Sequence, residues 1–169
     1  MTESRYPADK LLAIKRKHWP ESVTPVGEML VRLYRLNSLL QDGVAAQIAA
    51  HDLSFMEFEV LITLRGVAPP YEMIPTELYP AILISSGGLT KVLSSLQQRG
   101  LITRAEGTAD KRSKPVRLTA KGRNLAERVM AEVLDSGRKM VLGGLSETEV
   151  ERVTRLLHKL LVTLEPAND

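Results

Sequence analysis

Apolar residues recur every three to four positions through most of this chain, and that spacing predicts helices. The first pattern runs from Ala8 to His18, with Leu11, Leu12 and Ile14 on one side and Lys10, Arg16 and Lys17 on the other. Trp19-Pro20 stops it, because a proline disfavours helical geometry in the residue before it. Thr24-Pro25 starts a new helix, with Thr as cap and Pro in the first turn. Its stripe of Met29, Leu30, Leu33, Leu36, Leu39, Leu40, Val44 and Ile48 carries it to about residue 50.

Ser54-Phe55-Met56-Glu57 is a capping box that opens a helix ending near Arg65-Gly66. Pro69-Pro70 marks a loop, and a short helix from Pro75 is cut off by Pro80. Ser85 or Ser86 caps the next helix, predicted from Ser86 to Arg99 with Leu89, Leu93 and Leu96 on its core stripe. Gly100 ends it. Leu101–Ala105 and Val116–Leu118 are two short strands joined by a polar, Gly-containing segment. Thr119 caps a long helix to about Leu142, and Ser146-Glu147-Thr148-Glu149 opens the last one, to about Leu164.

The predicted fold is mainly α with a small β-hairpin wing. Residues 54–118 have the order of a winged helix-turn-helix, and residues 1–24 form an extension with a short helix. The outer helices, 25–53 and 119–165, carry apolar stripes that one small winged unit cannot cover. A two-fold homodimer buries them together.

Composition narrows the class. The 169 residues contain no cysteine, which excludes disulfides and Cys-based zinc sites. No apolar run near the N-terminus has the length of a signal or membrane segment, so a soluble, cytoplasmic protein without a membrane partner is expected. Charge is unevenly placed. From Lys91 to Arg117 seven basic residues face two acids, a net +5, so the rest of the chain carries −2 against a total of +3. No acid occurs between Leu78 and Ala105. Such a concentration fits a polyanion binder as well as a merely solvated face.

The motifs favour the polyanion. With Leu89, Leu93 and Leu96 turned inward, Gly87, Thr90, Lys91, Ser94 and Gln98 face out. Two glycines let the helix N-terminus approach a phosphate. The expected DNA-binding set is Ser86, Gly87, Thr90, Lys91, Ser94 and Ser95 on the helix, entering a major groove, and Lys111, Arg112 and Lys114 on the hairpin tip. Arg112 suits a minor groove. Asp110 is expected to orient Arg112 or Arg104 by a charge-assisted hydrogen bond.

With these motifs in order, the chain resembles the MarR family of bacterial transcriptional regulators. The resemblance rests on Ser85-Ser86-Gly87-Gly88-Leu89-Thr90-Lys91, Arg99-Gly100-Leu101-Ile102-Thr103-Arg104, Asp110-Lys111-Arg112-Ser113 and Leu118-Thr119-Ala120-Lys121-Gly122, and covers about residues 25–165. It implies a winged-helix homodimer on a palindromic double-stranded operator, a repressor as a rule, released by a small, often aromatic anion. Trp19-Pro20 and the run Leu53 to Leu61 also resemble the urate-responsive branch. That resemblance implies a ligand site at Trp19, Glu59 and Arg104, with His51 nearby. The chain departs from the branch in having Glu59 for an Asp and Val92 for a second Arg. Trp19 as a core anchor of the first helix is the alternative.

Other chemistry finds little support. His18, His51 and His158 lack metal-ligand spacing, and no nucleophile or phosphate-cradling motif appears, so no enzyme, metal or cofactor is expected. A winged-helix protein-interaction module without DNA is the alternative function.

Overall fold

The computed structural model describes residues 6–82, 88–104 and 114–165. Its helices are α1 (Ala8–His18), α2 (Pro25–Ala49), α3 (Phe55–Gly66), α4 (Pro75–Ala81), α5 (Leu89–Gln98), α6 (Ala120–Leu142) and α7 (Glu147–Leu164). Strands β1 (Glu72–Met73), β2 (Ile102–Arg104) and β3 (Val116–Leu118) make an antiparallel sheet in the order β1-β3-β2. The chain divides into two compact units, residues 1–46 and 47–169, with the boundary inside α2.

In the first unit, α1 ends where expected and a single 3-10 turn, Pro20–Ser22, leads to α2. Thr24 caps α2 through its hydroxyl, which accepts from the N–H of Gly27 at 3.1 Å. Leu12 is buried. Arg32 donates to both Asp9 and Glu28 at 2.9 Å, and Arg16 also donates to Glu28, so ion pairs fasten α1 to α2. Trp19 is 63% exposed and is therefore no core anchor.

The second unit holds the core. Phe58, Leu61 and Leu64 of α3 are buried with Leu78 of α4 and Leu93 and Leu96 of α5. Leu101, Ile102, Val116 and Leu118 come from the wing, and Ala126 and Val129 from α6. Ser54 and Glu57 form the predicted capping box, as do Ser146 and Glu149. Pro80 sits inside α4, which ends at the next residue. A proline there withholds the N–H that would continue the ladder.

Two elements differ from the sequence expectation. Strand β1 is additional to the predicted pair; it joins β3 through Glu72↔Arg117 and Met73↔Val116. Helix α5 begins at Leu89, where the sequence predicts a start at Ser86. Gly88 is its N-cap at φ 117, a left-handed conformation that glycine adopts without Cβ strain, so Gly88 precedes the first turn. The expected caps Ser85 and Ser86, with Gly87, lie outside the described residues.

Candidate nucleic-acid interface

The site is built on α5 and the β2–β3 wing. Leu93 and Leu96 pin one face of α5 into the core. On the other face Thr90, Lys91, Ser94, Gln97 and Gln98 are exposed. Among the described residues no side chain caps the first turn of α5; the Gly88 carbonyl accepts from the N–H groups of Lys91 and Val92 at 2.9 and 3.0 Å. The helix thus presents its positive end beside an exposed glycine. Among the described residues Lys91 forms no ion pair, which leaves its ammonium available to an anion. The exposed Ser94 hydroxyl donates to the Thr90 carbonyl at 2.9 Å.

Ser95 does not join that face. It is half-buried, and its hydroxyl donates to Glu57 Oε1 at 2.7 Å. A carboxylate from α3 thus holds the one donor of Ser95, a residue expected from the sequence to contact DNA. Glu57 is only 8% exposed. Burial alone would raise its pKa. Hydrogen bonds from the Ser54 backbone, Ser95 and the Ser54 hydroxyl, with the charge of Arg99, outweigh burial and hold the carboxyl below its usual range. Arg99 Nη1 reaches Glu57 Oε1 at 3.3 Å and the Asp52 carbonyl at 2.9 Å.

The end of α5 is gripped from a second side. Gly100, at φ 67, closes the helix: its N–H donates to Gln97 O at 3.0 Å, and that of Leu101 to Leu96 O at 2.9 Å. The Thr119 hydroxyl donates to the carbonyls of Gly100 and Leu101, at 2.8 and 3.0 Å, and accepts from Gly122 N–H at 3.0 Å. Lys121 Nζ donates to Arg99 O at 2.9 Å. The phrase Leu118 to Gly122 therefore fastens the start of α6 to the end of α5.

The wing is an antiparallel pair with register Ile102↔Leu118, Thr103↔Arg117 and Arg104↔Val116. Its tip, including Asp110, Lys111 and Arg112, lies outside the described residues; Lys114 is half-buried at the foot of β3. Pairing trims the positive charge counted from sequence. Among the described residues Arg117 meets Glu72 at 2.8 Å and Arg99 meets Glu57 at 3.3 Å, so acids stand against both of these cations.

The candidate ligand residues fall in different units. Trp19 belongs to the first unit, and His51, Glu59 and Arg104 to the second. His51 follows α2 and contacts Glu132 of α6 through Nε2 at 2.7 Å. Glu59 is half-buried on α3, and burial raises its pKa. Arg104 is half-buried in β2 with its Nε inside. Val92, on the partly covered side of α5, supplies no cation. Among the described residues no cluster of three acids, histidines or cysteines could hold a metal, and no helix is long and apolar enough to cross a membrane.

Helices α3 to α5 followed by a β-hairpin define a winged helix-turn-helix, the class of many transcriptional regulators. A MarR family model matches residues 51–113. Over 128 residues the chain is 31% identical to the HTH-type transcriptional regulator PecS of Dickeya dadantii (strain 3937), covering 76% of each. The chain belongs to the MarR family, and is a transcriptional regulator. Wild-type MarR of E. coli in its apo form superposes with a TM-score of 0.66 at 25% identity, over 82% of this chain and 98% of that one. Sco3205, a MarR family regulator of Streptomyces coelicolor solved in complex with DNA, gives 0.70 at 21% identity, over 87% and 93%.

Proposed function

We propose that this chain is a DNA-binding repressor that holds a palindromic operator as a homodimer. One observation carries the proposal: α5 is packed by Leu93 and Leu96 and leaves Thr90, Lys91 and Ser94 exposed beside a helix start with Gly88 at its N-cap. Those side chains suit base edges and phosphates in a major groove. Ser86 and Gly87, which lie outside the described residues, are further DNA contacts in this proposal. Lys111, Arg112 and Lys114 of the wing are further DNA contacts in this proposal, with Arg112 in the minor groove, and Asp110 orients Arg112 or Arg104. The DNA complex of Sco3205 supports the same use of this fold.

The dimer rests on exposed apolar side chains. Met29, Leu36 and Leu39 on α2, and Leu156, Leu160 and Leu164 on α7, are all open to solvent in the single chain. A second copy covers them, which makes 25–53 and 119–165 the dimerisation region and 54–118 the DNA-binding domain. Two recognition helices then sit about 34 Å apart, one turn of DNA.

A small aromatic anion releases the operator in this proposal, with His51, Glu59 and Arg104 of the second unit as its contacts. The buried Nε of Arg104 supports a cation at that site, and half-buried Glu59 has no hydrogen-bond or ion-pair partner among the described residues. The ligand acts only if it favours one spacing of the two recognition helices.

The test is a titration of the chain against its own upstream region and against a random duplex at two salt concentrations. Tighter binding to the upstream region at both is expected. Equal affinity for the two duplexes would refute sequence-specific binding.

A further inference from the structure

We propose that Glu57 is a positioning residue for DNA reading: one buried carboxylate on α3 sets the rotation and register of α5 through Ser95 and Arg99. This rests on the assignment of α5 as the helix that reads DNA.

The two oxygens of Glu57 do different work. Oε2 accepts from the Ser54 N–H at 2.8 Å and from the Ser54 hydroxyl at 3.0 Å, so it is tied to the N-cap of its own helix. Oε1 accepts from Ser95 at 2.7 Å and from Arg99 at 3.3 Å, so it is tied to α5. The carboxylate cannot rotate to favour one set without losing the other. Its anchor on α3 is fixed by the capping box and by the buried residues that follow, Phe58, Val60 and Leu61.

Ser95 and Arg99 lie one helical turn apart. Two fixed points on one ridge define both how far a helix has slid and how far it has turned about its axis. One turn earlier on that ridge is Lys91, exposed and on the candidate DNA face. A rotation of α5 would carry Lys91, Thr90 and Ser94 across the groove together. Leu93 and Leu96 resist such a rotation only through packing, which is not directional. The hydrogen bonds from Glu57 are directional, and charge assistance makes them the stronger kind. Arg99 extends the grip by donating to the Asp52 carbonyl, in a turn where Asp52 itself has φ 55. The α2–α3 turn, the start of α3 and the C-terminal half of α5 are thereby joined at one acid.

A positioning role separates specific from non-specific binding. Phosphate attraction tolerates a turned helix, because it depends on charge count; base reading does not. The experiment uses the full chain and a duplex selected by the wild-type protein from a random pool. Ser95→Ala and Glu57→Gln are compared with wild type on that duplex and on an unselected one. Ser95→Ala leaves the capping box untouched, and Gln is itself a capping-box residue. Both variants are expected to lose about tenfold on the selected duplex, while unselected binding changes by less than about twofold and the salt slope holds. Ser95→Thr, which keeps the hydroxyl, is expected to restore selected binding. If both variants discriminate as wild type does, or if both affinities fall together with melting temperature, Glu57 is a structural residue only and the proposal is overturned. If the wild-type protein selects no sequence, the assignment of α5 falls first and takes the proposal with it.

Discussion

The Cα of Gly122 lies against the carbonyl of Leu101: a Cβ at Gly122 would sit 2.0 Å from that oxygen. No side chain fits there, so α6 starts where the strand after the recognition helix begins. The Thr119 hydroxyl reinforces the joint from one residue before the helix. Gly122→Ala must push α6 away from Leu101, and a loss of about 3 kcal/mol is expected, at the upper end of overpacking costs. Thr119→Ala removes a cap and its bonds to two carbonyls and is expected to cost about 1–2 kcal/mol. Urea unfolding of both variants checks the order.

Gly88 makes a separate claim on α5. At φ 117 a Cβ meets no neighbouring atom, so only backbone strain opposes substitution. Gly88→Ala is expected to cost about 1–2 kcal/mol, seen as a lower denaturation midpoint. Ala in place of Gly66, which also has open space around it but no positive φ, is expected to leave the midpoint the same or higher.

Two acids on α3 give opposite pH signatures. The folded-state pKa of Glu57 is depressed, so its stabilisation is present above the unfolded value near 4.5 and is lost as pH falls through the folded value. Glu59 is raised by burial, so its carboxylate destabilises the fold once pH has risen through the folded value. Glu59→Gln is therefore expected to raise the melting temperature at pH 7 and to leave it unchanged below both pKa values. Glu57→Gln is expected to lower it at pH 7, with the difference shrinking in acid. Melting curves across pH for the two variants separate these signs.

The capping signals are legible in the sequence because they are local. Thr24, Ser54 with Glu57, Thr119 and Ser146 with Glu149 all cap as their spacing predicts. The ends of α1 and α3 follow from Pro20 and Gly66 for the same reason. Strand β1 is not legible: two residues carry no periodicity, and its existence depends on β3, more than forty positions away. The role of Ser95 is hidden similarly. Its position on the ridge suggests a DNA contact, but its partner, Glu57, lies 38 residues earlier and is already engaged in a capping box. The use of both oxygens of one carboxylate exists only in three dimensions. Arg117 adds to the +5 counted from the sequence, yet the fold sets Glu72 beside it.

The dimer assignment makes a sharp prediction for α7. Leu156 and Leu160 lie one turn apart, exposed in the single chain. Leu156→Asp with Leu160→Asp is expected to yield monomers, or misfolded protein where no stable monomer exists, by sedimentation. A double variant that remains a fully helical dimer would remove α7 from the interface.

Lys91 and Arg112 are assigned to separate grooves. Each alanine variant is expected to weaken operator binding, and the salt slope falls by about one for every phosphate that a removed cation had neutralised. An unchanged affinity and slope in Arg112→Ala would remove the wing from the interface.

The central claim, two copies reading a two-fold operator through α5, is tested most directly by footprinting the full chain on its upstream region together with the mass of the complex. Two copies per site and two protected half-sites about one helical turn apart are predicted. One copy per site, or protection without two-fold symmetry, would contradict it.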